Sequence, residues 1–332
     1  MAHRHSLLFA CLFLVLLASP TLASKCDSGD LKALLSIKQS LGNPSILSSW
    51  VPSTSCCSWA HLQCDRAGRV NSITIRDSNL AGTIPPSVTD LTALISLAFI
   101  DLPGLTGPIP TSIFTLKTLQ QVTVIRTSVS GFSGPVPDSI SQLSQIDTLD
   151  LSANKITGPI PASLSKLPKL RFLDLSHNQL TGSIPSGLVH GNFAFLILSH
   201  NLLTGRIPVD YGSTDFDTIN LSHNRLIGDA SFLFGAQKKT TEIYLAWNRL
   251  EFDISNVAFP KGLTDLDLSH NKITGRVPVS IRDLAKVHKL DLSYNKLCGQ
   301  IPSVGVNTHL GVAAFGHNKC LCGGPLAPCH KN

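Results

Sequence analysis

An α/β solenoid with a parallel concave sheet is the fold class this sequence predicts, and three observations predict it. An asparagine recurs at Asn154, Asn178, Asn201, Asn224, Asn248, Asn271 and Asn295, in steps of 23 or 24 residues. Each follows a pair of apolar residues two apart, such as Leu149 and Leu151, and most lead into a glycine, isoleucine and proline ending such as Gly158-x-Ile160-Pro161. Cysteines avoid this repeating region and cluster at its two ends, as Cys26, Cys56, Cys57 and Cys64 before it and Cys298, Cys320, Cys322 and Cys329 after it.

Each repeating element has a physical reason. Residues two apart in a strand point to one face, so Leu149 and Leu151 enter a core while Asp150 faces away. Ile156 and Ile160 extend that core. No turn of 23 or 24 residues buries such a face alone, and stacking aligns Leu149, Leu173, Leu196, Ile219, Ile243, Leu266 and Leu290 into one column. The asparagine falls where the chain leaves the strand, and its amide offers donors and an acceptor to backbone groups the bend would orphan. Period and wording are those of a plant-type leucine-rich repeat, with about ten repeats between Val70 and Pro302.

In chain order, residues 1–23 carry His3, Arg4 and His5, an apolar run from Leu7 to Leu17 and a small-residue exit near Ala23, the pattern of a secretory signal peptide. Residues 24–70 form an N-terminal cysteine cap with a helix. Asp27 or Ser28 starts it, Leu31, Leu34, Leu35, Lys38 and Leu41 keep helical spacing, and Gly42-Asn43-Pro44 stops it. Trp50 and Trp59 are expected to cover the end of the core. The repeats occupy residues 71–302. The first three are looser, with Ser78 and Thr127 in asparagine positions and extra residues around Phe132. Residues 303–332 form the C-terminal cysteine cap.

The cysteines fit disulfide-closed caps of a secreted solenoid, whose core would otherwise meet water at both ends. No metal is expected, because adjacent Cys56 and Cys57 poorly suit one zinc tetrahedron. Four cysteines allow three pairings in each cap, and the sequence alone leaves them open.

From Cys26 to Cys329 the chain resembles the plant polygalacturonase-inhibiting proteins. The likeness rests on the cap (LSSW, then CCxW), the repeat count, the segment Gly228-Asp229-Ala230-Ser231-Phe232-Leu233-Phe234-Gly235 and the ending Asn318-Lys319-Cys320-Leu321-Cys322-Gly323. It implies the pairs Cys26-Cys56, Cys57-Cys64, Cys298-Cys320 and Cys322-Cys329. It also implies a concave face laid over the pectin-binding cleft of a fungal or insect polygalacturonase, in plant cell-wall defence. Asp150 falls where an acidic residue of the family contacts the basic cleft. Ser176 stands where the family can carry an acid, and this chain's own acid, Asp174, lies two residues earlier.

Read residue by residue, the outward strand positions hold Asp150, Asp174, Ile197, Tyr244, Asp267 and Asp291, with Ser152 and Ser176 nearby and Phe172 and Phe195 in the preceding column. His177, His200, Trp247 and His270 stand just before the asparagine. His223 joins them as a column of imidazoles along one edge of the sheet, expected to be largely cationic in an acidic wall. Together they describe an apolar, aromatic and polar surface suited to a protein partner. Asn220-Leu221-Ser222 is the one glycosylation triplet with a permitted middle residue. A glycan there would obstruct the middle of that surface.

The sequence also sets what is not expected. Only Glu242 and Glu251 are glutamates, and no HExxH, GxSxG or phosphate loop is present. Asp150 and Asp174 approach glycosidase spacing, yet an open concave sheet gives them no closed pocket, so no enzyme and no cofactor is expected. The formal charge of +6 spreads over the caps and the helical side, as at Lys166, Lys169, Lys286 and Lys289. It suits adhesion to pectin in the wall or apoplast rather than nucleic acid. With no apolar run of spanning length after the leader, a secreted monomer is expected. The alternative reading is an extracellular recognition module in plant developmental signalling, with a protein or peptide ligand, since receptor ectodomains share the repeat.

Overall fold

The computed structural model describes residues 25–125, 131–190, 193–302 and 311–329. The signal peptide, residues 126–130 with Arg126 and Thr127, and the start of the C-terminal cap at 303–310 lie outside them.

Ten parallel strands, from Val70–Arg76 to Lys289–Asp291, form the concave sheet, one strand per repeat, and the cap strand Leu62–Cys64 pairs antiparallel with the first. The register matches the repeat. Leu149 lies opposite Leu173, Leu173 opposite Leu196, and Ile219 opposite Ile243. All of these side chains are at most 1% exposed.

Asparagine closes each turn as its chemistry allows. Asn178 places Nδ2 2.9 Å from the Leu151 carbonyl of the previous turn and 3.1 Å from the Leu175 and Ser176 carbonyls, while Oδ1 accepts from the Ile156 N–H at 2.9 Å. Asn201, Asn224, Asn248, Asn271 and Asn295 repeat this arrangement, and Asn318 adds a further turn in the C-terminal cap. The residue before each asparagine pays with a left-handed backbone: from Ala153 to His317 these positions hold φ between 53 and 55°.

The convex side holds no α-helix among the described residues. Short 3-10 turns follow the prolines, as in Ala162–Lys166 after Pro161, and short parallel strands such as Lys155–Pro159 and Gln179–Thr181 lie beside them. A tight 3-10 turn of five residues suits a repeat that must spend only 23 or 24 residues on a full circuit.

The single α-helix among the described residues, Ser28–Ser40, sits in the N-terminal cap, where Asp27 accepts from Gly29 N and Asp30 N. Asp30, wholly buried, accepts from Arg69 Nε and Nη2 at 3.0 and 2.9 Å and from Val70 N at 2.7 Å, tying the helix to the first repeat strand. Trp50 and Trp59 stack over the core end at 5.8 Å. The disulfides are Cys26–Cys56, Cys57–Cys64, Cys298–Cys320 and Cys322–Cys329, so each cap is closed by two.

Candidate functional site

The concave face is built by strand residues that alternate between core and surface. Its central column runs through Asp150, Asp174, Ile197, Asn220, Tyr244, Asp267 and Asp291, each aligned with its neighbour. The column has a backbone duty. Oδ1 of Asp150, Asp174, Asn220, Asp267 and Asp291 accepts from the N–H two residues on, at 2.8 to 3.1 Å. That contact pulls the side chain down onto the sheet, so these residues are half-buried rather than freely solvated. Ile197 and Tyr244 cannot accept in this way, and there the face turns apolar.

The two acidic pairs are not equivalent. Lys289 Nζ lies 3.2 Å from Asp267 Oδ2 and 5.3 Å from the centre of the Tyr244 ring, so the second pair is partly neutralised. Lys289 therefore belongs to the concave sheet, not the convex side with the other cations: it occupies the strand position that Phe172 fills in its own repeat. Among the described residues neither Asp150 nor Asp174 forms an ion pair. Burial pushes both carboxyls above their usual range, against the lowering effect of the Ser152 and Ser176 contacts. An ionised carboxylate short of solvent favours an incoming cation.

Beside this pair, Phe172 and Phe195 meet at 5.5 Å and wall a hollow of about 300 Å³, with Gln121, Thr148 and Arg171 around it. Gln121 stands at the first position of its strand and Arg171 just before its own, outside the two columns that the leucines mark, so the repeat pattern gives no sign of either.

At the edge of the sheet the left-handed positions form a continuous stack of rings. Centroids are 4.1 Å apart for His177 and His200, 4.0 Å for His200 and His223, 5.5 Å for His223 and Trp247, and 3.7 Å for Trp247 and His270. Tyr294 and His317 continue it at 4.0 and 4.1 Å. His317 was missed because the repeat pattern fades there; Asn318 carries the signal. Burial, then the neighbouring imidazoles, lowers the pKa of His200, and burial foremost lowers that of His223, so the middle of the column resists protonation.

Placement corrects two expectations. Ser152 and Ser176 are buried, 8% and 5% exposed, and offer a partner no accessible side chain. Phe172, Asp174, Phe195, Ile197, Tyr244, Asp267 and Asp291 are partly exposed on one face, and His177, His200 and Trp247 are exposed at its edge beside the half-exposed His270. Among the described residues no helix is long and apolar enough to cross a membrane.

Comparison with known proteins agrees with this architecture. A leucine rich repeat N-terminal domain model matches residues 27–65, and a leucine rich repeat model matches 136–180 and 238–297. The chain is 51% identical to polygalacturonase inhibitor 1 of Oryza sativa subsp. japonica, with 100% of each covered, and 47% identical to the polygalacturonase inhibitor of Vitis vinifera, with 97% and 98% covered. A solved plant ice-binding protein superposes with a TM-score of 0.87 at 42% identity, covering 92% of this chain and 99% of its own.

Proposed function

Because the chain belongs to the polygalacturonase inhibitor family, we propose that it inhibits microbial endopolygalacturonases by laying its concave face across their substrate cleft. The observation that carries this reading is the half-buried acidic pair Asp150 and Asp174, beside the aromatic hollow of Phe172 and Phe195. A cleft that binds polygalacturonate must present cations, and two desolvated carboxylates offer those cations a partner. The hollow accepts an apolar anchor from the same surface. No step of catalysis is assigned to the face, which binds rather than turns over. Secretion to the plant cell wall and adhesion to pectin follow from the same reading, supported by the four disulfides and the positive formal charge.

The test uses Asp150→Asn and Asp174→Asn. Asn220 fills the same column and makes the same contact, so asparagine removes the charge while keeping the backbone acceptor. Across a panel of fungal and insect polygalacturonases, the inhibition constant of at least one enzyme is expected to rise by about tenfold or more for the double variant, the scale of one lost charged contact. An unchanged constant for every inhibited enzyme would move the binding surface elsewhere.

A further inference from the structure

The edge stack brings three consecutive imidazoles, side chains able to ligate a metal, together at the spacing of the turns. His177, His200 and His223 lie with centroids 4.1 and 4.0 Å apart and planes within 14°. All three rings are exposed. Their backbones are held by the asparagines beside them, Asn178, Asn201 and Asn224, each buried and bonded to two turns, which keeps the spacing of the column fixed. Imidazole nitrogen binds borderline divalent ions at ~2.0–2.1 Å, so one ion spans two nitrogens up to ~4 Å apart; because the stacked planes hold their in-plane lone pairs parallel, binding requires two neighbouring rings to turn out of the stack until both lone pairs meet at the ion.

We propose that this column binds a divalent transition-metal ion through a neighbouring pair, His177 with His200 or His200 with His223, with water in the remaining positions. Affinity is expected to follow Cu²⁺ ahead of Ni²⁺ and Zn²⁺. His200 belongs to both pairs and is the central ligand. Farther along, Trp247 and Tyr294 separate the imidazoles, so His270 and His317 have no imidazole as stacking neighbour. The carboxylates of Asp174 near His177 and Asp267 near His223 add negative potential that favours a cation. This site rests on the clustering of the histidines and not on the concave face, so its failure leaves the polygalacturonase reading untouched.

The experiment is a Cu²⁺ titration of the metal-free mature chain, followed by calorimetry and by tryptophan fluorescence. Trp247 lies 5.5 Å from His223, so a bound Cu²⁺ is expected to quench it. The variants are His200→Asn, the pair His177→Asn with His223→Asn, and His270→Asn as control. Asparagine tolerates the left-handed backbone these positions need, and circular dichroism checks the fold. Affinity is expected to fall by about tenfold or more for His200→Asn and for the pair, the order of one lost ligand. The control is expected to keep both affinity and quenching. Equal affinity in wild type and His200→Asn overturns the proposal, as does wild-type binding no tighter than that of the pair variant, which retains one of the three consecutive imidazoles.

Discussion

Replacing Asn201 with alanine tests whether the asparagine ladder holds the turns together. Asn201 is 6% exposed, its Oδ1 accepts from Leu180 N at 2.9 Å, and its Nδ2 lies 2.9, 3.2 and 3.3 Å from the carbonyls of Leu175, Leu198 and Ser199. The losses are unequal. The Leu175 carbonyl keeps Asn178, the Leu198 carbonyl keeps Asn224, and the Ser199 carbonyl keeps the His177 N–H. Leu180 N–H alone loses its acceptor. One orphaned buried donor costs about 1–3 kcal/mol and the shared contacts about 1 kcal/mol more, so a loss of about 3 kcal/mol is expected. Urea denaturation measures it, and amide exchange at Leu180 locates it, since a solenoid loosens first at the damaged turn. Asn201→Asp sharpens the argument. Its second oxygen would face three carbonyls, so the carboxyl is expected to be protonated in the folded state, with stability present at low pH and lost as pH rises. Exposed Gln179→Ala, in the neighbouring turn, is expected to stay within about 0.5 kcal/mol of wild type. An alanine variant as stable as that control, or an aspartate variant indifferent to pH, refutes the reasoning.

Three further outcomes are expected. Removing Cys26–Cys56, which closes 30 residues, should cost about 3–4 kcal/mol, against about 2–3 kcal/mol for Cys57–Cys64, which closes 7, and thermal melts of paired serine variants should keep that order. Asn220 should carry little or no glycan, because it lies in the middle of the concave face with Oδ1 accepting from Ser222 N and Oγ; intact-mass analysis reads the occupancy, and full occupancy would confine the partner to the sheet on either side. The raised carboxyls of Asp150 and Asp174 work in opposite directions on binding and stability. Inhibition should weaken as pH falls through their raised range, whereas their contribution to stability is full below the unfolded value near ~3.9 and is lost as pH rises. The double asparagine variant should therefore melt higher than wild type at neutral pH while inhibiting less, and a variant that melts lower removes burial as the cause.

Much of this was legible because the repeat constrains it. Leu149, Asn154 and their equivalents recur at a fixed step, and a side chain that must fill the same place in every turn announces itself in one sequence. The ten strands, the leucine columns and the caps follow from that regularity. The convex 3-10 turns were less legible, since a proline and five variable residues do not distinguish a short helix from a turn. The site was harder for a different reason. Alternation says that Asp150 leaves the core, but not that its carboxylate folds back onto Ser152 N. Nor does it say that Lys289 reaches across to Asp267, a contact between residues on adjacent strands that composition had sorted to opposite sides. His317 lay beyond the last full repeat, where only Asn318 marked the turn.

The same scaffold explains why a recognition surface can vary here at little structural risk. Each turn is secured by groups that point inward, the leucines and the asparagine amide, and these make no use of the neighbouring outward side chains. Two outward columns still carry a restriction. At five of its positions the central column supplies an acceptor for the N–H two residues on, which aspartate and asparagine do equally, so the choice between them is left to charge and hence to the partner. The edge column must adopt a left-handed backbone, which histidine and asparagine tolerate better than most residues and β-branched ones tolerate badly. Repetition of histidine at the edge is thus partly a backbone preference, and its stacking at 4 Å follows from the turn spacing that the asparagines impose. The surface chemistry that distinguishes this chain accordingly lies where neither restriction decides the residue: the charge of Asp150 and Asp174 over Asn220, the apolar Ile197, and the paired rings of Phe172 and Phe195.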